Sequence, residues 1–141
     1  MKKFWAVLAA AGLAAGVALF AAEDKKVDKK DTRVFELRTY YAAPGKMQAL
    51  HARFRDHTCK LFEKHGMTVV GFWSPTDEKQ AEQKLVYLLA FPSKEAADKS
   101  WKAFRDDPEW KAVREASEKD GKLVDKVESV FLNPTDYSPM K

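Results

Sequence analysis

The sequence predicts an α+β domain of four strands and two helices in the order β-α-β-β-α-β. Three observations predict it. Val34 to Tyr41 alternates with the period of a strand. Lys46 to Lys64 repeats apolar residues at helical spacing. Ser93 and Asp107-Pro108 supply helix starts ahead of further apolar stripes, with strand-like runs on either side.

In the first strand, Val34, Glu36, Arg38 and Tyr40 share one face; Phe35, Leu37, Thr39 and Tyr41 share the other. The second set is expected to face the core. Ala42-Ala43-Pro44-Gly45 breaks the strand, and Pro44 suits a first helical turn, where a missing N–H costs little. In the helix that follows, Met47, Leu50, Phe54, His57 and Leu61 step by three and four, with Thr58 and Phe62 widening the stripe. Arg53, Arg55, Asp56, Lys60, Glu63 and Lys64 are expected on its wet side. Gly66 is a helix stop, and Met67 to Trp73 resumes as a strand.

Ser74 to Gln83 reads as a polar hairpin connection. Lys84 to Phe91 is almost continuously apolar, which predicts a central strand covered on both faces. Pro92 ends it. Ser93 is an N-cap, and Ala97, Trp101 and Phe104 point inward from the helix behind it. Asp107 caps a further helical piece with Pro108 at its first position, and Trp110 and Val113 extend the buried stripe. Gly121 closes that piece. Leu123 to Leu132 is the last strand, with a bulge or a late start near Lys126. Residues 134–141 form a tail whose prolines prevent regular pairing.

This order is the ferredoxin-like arrangement, a four-stranded antiparallel sheet with its helices on one face. The strands carry large apolar residues toward both faces, so the sheet needs a second cover. A second copy of the chain supplies one by two-fold symmetry. The expectation is a homodimer through the open sheet face, closing toward a dimeric α/β barrel.

The 141 residues hold one small domain plus a leader. Residues 1–22 start with Lys2 and Lys3, then run without charge through Phe4 to Ala22, as a secretory signal does. A-x-A is missing just before the charges begin, and the run approaches a membrane span in length, so an uncleaved N-terminal anchor is the second reading. Either way the domain at residues 33–133 is expected outside the cytoplasm, periplasmic or secreted, and the membrane is met only through that segment. Residues 23–32 form a charged linker. The net charge is +4, of which +2 lies beyond Ala22, with acids and bases interleaved. Nucleic acid is therefore not an expected partner.

Phe35-Glu36-Leu37-Arg38-Thr39-Tyr40, followed by Pro44-Gly45-Lys46, resembles the ELRTY…PGK opening of NIPSNAP-type domains. His65-Gly66, the strand ending at Phe72-Trp73, and Asp107-Pro108-Glu109-Trp110 resemble that family's later landmarks, so the likeness spans Val34 to Leu132. The resemblance implies a dimeric α/β-barrel domain of the ferredoxin-like superfamily. It implies a fold and not a reaction. Related barrel families include monooxygenases and haem-degrading enzymes.

Few residues point to chemistry. His57 sits on the apolar stripe where a leucine would be ordinary, so it is the one weak catalytic candidate, set against a hydrogen-bonded core histidine. His51, His57 and Cys59 are separated by steps of six and two, which do not share a helical face, so no metal site and no cofactor are expected. Glu36, Arg38 and Tyr40 would point into a closed barrel and, with Trp73, are the ligand-binding candidates. Cys59 is alone, and could pair only with another chain. No phosphate loop and no nucleophile elbow is present. The expected function is an exported homodimeric module that binds a small apolar ligand or a protein. The alternative is a small cofactor-independent monooxygenase-like or haem-handling barrel enzyme.

Overall fold

A computed structural model describes residues 33–141. The leader and the charged linker lie outside the described residues. Four strands, β1 (Val34–Ala42), β2 (Thr68–Trp73), β3 (Lys84–Phe91) and β4 (Val124–Leu132), form one sheet in the order β2-β3-β1-β4. Every pairing is antiparallel. The first helical layer comprises α1 (Met47–Arg53), a π-helical turn (Phe54–Thr58) and α2 (Cys59–Lys64). The short α3 (Glu78–Ala81) lies between β2 and β3, and α4 (Lys94–Asp106) and α5 (Pro108–Ser117) lie between β3 and β4. The β-α-β-β-α-β order holds, and the central strands are β1 and β3.

Local signals place most boundaries. The Ser93 hydroxyl accepts from the Ala96 N–H at 3.0 Å, and Asp107 accepts from the Glu109 N–H at 2.8 Å with Pro108 at the first helical position. Gly45 and Gly66 take the left-handed backbone that their turns require, at φ 72° and 75°. The register shift at Tyr41/Ala42 marks the irregular start of β4. The Ser74–Gln83 connection is more ordered than expected, because Asp77 accepts from the Gln80 N–H and caps α3.

Both helical layers pack on the sheet face formed by Leu85, Tyr87, Leu89 and Phe91 of β3. Phe54 and Tyr87 are the hub. Each lies within 5.5 Å of the Tyr40 ring, their own ring centroids are 5.3 Å apart, and Phe72 stacks on Tyr87 at 4.9 Å. Phe62 and Phe104 carry the cluster on toward Trp110.

This reverses the face assignment for β1. Tyr40 meets Phe54, and Glu36 reaches Trp101 of α4, so Val34, Glu36, Arg38 and Tyr40 face the helices. Leu37, Thr39 and Tyr41 face away from them, with Leu88 and Val86 of β3. Charge misled the reading, because two ionised residues on one face look like a solvent face unless their partners are known. The outer face of β3 is correspondingly only half-buried at Val86 and Leu88, although Ala90 beside Phe35 is buried.

The first helix departs from a regular repeat. The Cys59 N–H bonds to the Phe54 carbonyl, five residues back. The wide turn shifts the buried face by one position. Thr58 is buried and its hydroxyl donates to the Arg53 carbonyl at 3.1 Å, while His57 is exposed. Arg53 is likewise buried, not wet. It lies over Trp110 at 5.2 Å and pairs with Glu118 at 3.1 Å, tying α1 to α5.

A clamp joins the two helical layers at their other end. The Asp107 carboxylate receives Lys64 Nζ at 2.8 Å and His65 Nε2 at 2.6 Å while it caps α5. Lys64 first, then His65, and with them the Glu109 N–H, hold the Asp107 carboxyl well below the usual carboxylate range. A lowered carboxyl stabilises the fold fully above its unfolded value of about 3.9 and loses that contribution as pH falls below it. Asp107→Asn keeps the cap and removes the charge. Its melting temperature is expected to fall at neutral pH, and the gap to the native chain to narrow on acidification. Circular-dichroism melts across the acid range would show it, and a constant gap would contradict the assignment.

Candidate functional site

Two constellations bring together chemistry-bearing side chains. The first is built on β1 beneath α4. The Glu36 side chain is 1% exposed. One of its oxygens accepts from Arg38 Nη1 at 2.6 Å and from the Ser129 hydroxyl at 2.6 Å; the other accepts from Trp101 Nε1 at 2.5 Å. Arg38 Cζ also lies over the Trp101 ring, 4.3 Å from its centroid. The register explains the meeting, since Arg38 stands opposite Ser129 on β4 and opposite Tyr87 on β3. Glu36 thus has three donors on two oxygens, all from within the chain.

Arg38 keeps its charge firmly. Burial works against it, but Tyr87, Tyr40 and Glu36 outweigh burial and raise it further. Burial drives the Tyr87 phenol well above its ordinary range; Tyr40 adds to the rise and Arg38 opposes it. The Tyr87 hydroxyl is buried without a partner of good hydrogen-bond geometry, although Tyr40 comes close, and the Arg38 Nε–H is buried and unpaired. Glu36, Arg38 and Tyr40, expected together, are together, but inside the helix–sheet layer.

The second constellation is a cleft between the first helical layer and the far end of β2 and β3. A chamber of about 260 Å³ is lined by His51, Phe54, Arg55, Cys59, Phe72, Trp73, Ser74 and Leu85. A larger one of about 500 Å³ adjoins it at His51 and Ser74, with Met47, Gln48 and Glu82 also on its walls. In a regular α-helix the eight steps from His51 to Cys59 would leave an offset of about 80°. The π turn between them takes up that offset, so His51, Arg55 and Cys59 border one chamber. Burial first, then Glu63, pushes the Cys59 thiol up, away from a reactive thiolate.

Trp73 touches this chamber, but its indole crosses Gly71 on the outer sheet face. A Cβ on Gly71 would stand 2.8 Å from the indole Cη2, so only glycine leaves it room. His57 stands apart, on a third cavity between α1 and α5 bordered by small residues, Arg53 and Asp56. Arg38 and Tyr40 line none of these three cavities. From the sequence, His51 is weighed only as a metal ligand and Arg55 is set on the wet side; the one signal for their shared chamber is their i,i+4 spacing with Cys59 four further on.

A NIPSNAP family model matches residues 35–139. The chain belongs to the NIPSNAP family. Among solved structures it is similar to a NIPSNAP family protein of unknown function from Agrobacterium tumefaciens, with a TM-score of 0.68 at 20% identity over 79% of this chain and 96% of that one. It is also similar to an uncharacterized NIPSNAP domain protein from Burkholderia xenovorans, with a TM-score of 0.63 at 21% identity over 75% and 98%. No curated protein matches the chain. At these identities the likeness concerns the fold. His65 and Asp107, which belong to the stretches that resemble the family in sequence, meet in the clamp.

Breaking the Glu36 cluster tests its role. Glu36→Leu leaves Arg38 as an unpaired cation that keeps only a little solvent, and is expected to cost about 3 kcal/mol. Glu36→Leu with Arg38→Met replaces the pair by apolar groups and is expected to recover most of that loss. Urea denaturation measures both, and a double variant no more stable than the single would refute the assignment.

Proposed function

We propose that this NIPSNAP domain is an exported homodimeric module that binds a small ligand. One observation carries the proposal: beyond the buried Phe35–Ala90 end, the sheet face away from the helices is apolar, and no described element covers it. Leu37, Val86 and Leu88 are half-buried in its centre, and Trp73, Val130 and Leu132 are 51%, 53% and 41% exposed. Leaving such a continuous surface in water is costly, and an identical face related by a two-fold axis is its simplest complement. The Lys2-Lys3 start and the uncharged run to Ala22 support export. The cleft beside His51, a chamber of about 500 Å³ adjoined by one of about 260 Å³, supports ligand binding, since the larger falls in the range of small-molecule sites.

Light scattering after size exclusion tests the dimer. The native chain is expected to run at twice the monomer mass. Val130→Asp places a charge in the middle of the shared face and is expected to yield a monomer. Because Val130 is exposed in the single chain, its folding stability should change by only about 0.5 kcal/mol. A native chain that is monomeric at high concentration would remove the proposal's basis.

A further inference from the structure

We infer that the cleft beside His51 takes a small organic acid, an apolar ring-bearing body with one carboxylate at its edge. The inference rests on the reading of the domain as a ligand-binding module and specifies its ligand. Shape comes first. The inner wall of the smaller chamber is Phe54, Phe72 and Leu85, which belong to the aromatic core and its margin, so the wall is rigid and apolar. A chamber of about 260 Å³ holds a bicyclic ring and little more, while the adjoining space of about 500 Å³ lets a substituent extend past His51 and Ser74.

Charge decides the headgroup. No acid lines the smaller chamber. Its rim carries Arg55 and His51, one turn apart on the same helical face. Neither side chain makes a hydrogen bond or an ion pair with another described residue; exposed Lys60, Lys79 and Lys99 are unpaired too, but only Arg55 and His51 bring a basic group to this chamber. An unpaired guanidinium beside an apolar wall matches a carboxylate in fork geometry. The single acid of the larger chamber, Glu82, lies beyond His51 and would repel a carboxylate placed there, which favours the Arg55 end. Cys59, held as a neutral thiol on the same wall, adds apolar surface without a competing charge.

The test compares 2-naphthoate with 2-naphthamide, an uncharged molecule of the same shape, by titration calorimetry on the native chain, Arg55→Gln and His51→Gln. The acid is expected to bind the native chain at least fivefold more tightly than the amide. Arg55→Gln is expected to erase that preference, weakening the acid about fivefold to tenfold and leaving the amide unchanged. His51→Gln should weaken the acid by a smaller factor. Arg55 is exposed and unpaired, so its variant keeps the fold. Equal affinity for acid and amide would overturn the inference and leave the ligand-binding module standing. Failure of both probes to bind would overturn the inference together with the ligand half of that reading, while the dimer is judged separately by light scattering. Binding that ignores Arg55→Gln but disappears in Val130→Asp would place the probe on the outer sheet face and also overturn it.

Discussion

The domain depends on one buried carboxylate. Glu36 accepts hydrogen bonds from β1 itself, from β4 and from α4, through Arg38, Ser129 and Trp101. A lone carboxylate 1% exposed would be intolerable in this setting, and these three donors make it acceptable. The arrangement sets the order of the edge. β4 is held to β1 by its backbone ladder and by Ser129, while α4 is pinned above them through the indole of Trp101. Arg38, sandwiched between its carboxylate and the Trp101 face, fills the space that an apolar side chain would take elsewhere. Polar specificity and aromatic packing thus meet in one place, where the sheet changes from covered to open.

That change gives the sheet two faces of different use. Toward the helices lies an aromatic cluster centred on Phe54 and Tyr87, whose margin becomes the cleft wall. Away from the helices lies an apolar surface that no described element covers around Leu37, Val130 and Leu132. Phe72 and Trp73 show the division at a single peptide bond. Phe72 joins the cluster, and Trp73 folds over Gly71 on the outer side. A ligand in the cleft and a second copy on the outer face would therefore touch neighbouring residues of the same edge strand.

Much of this was legible beforehand, and the reasons differ by element. β3 was readable to the residue because Pro92 and a polar loop bound it. Ser93 and Asp107-Pro108 were readable because helix caps are local chemistry that needs no partner. The face of β1 was not readable, since Glu36 and Arg38 look solvated until Trp101 and Ser129, 65 and 93 residues away, are known. The first helix misled for another reason. Its apolar repeat fits a regular α-helix through His57, and nothing in the local sequence announces that one turn is wide. His57 was consequently placed inside and Arg53 outside, the reverse of the structure. Glu36, Arg38 and Tyr40 lie together, but under the helices and not on the open face where they were expected, while the cavity that His51 and Arg55 border is made with distant strands and leaves no local signal.

The π turn carries a consequence of its own. It divides one continuous helix into two halves with independent bearings. The half before it points His51 at the cleft and Arg53 at α5; the half after it delivers Lys64 and His65 to Asp107. The extra residue works as a phase shifter between two docking tasks that a uniform helix could not satisfy together. Loss of any one residue between Phe54 and Thr58 would give a more regular helix, yet the second half would rotate by about 100° relative to the first. At the exposed positions Arg55, Asp56 and His57, length is therefore under tighter restraint than residue identity, and substitutions there should be borne by the fold more readily than deletions.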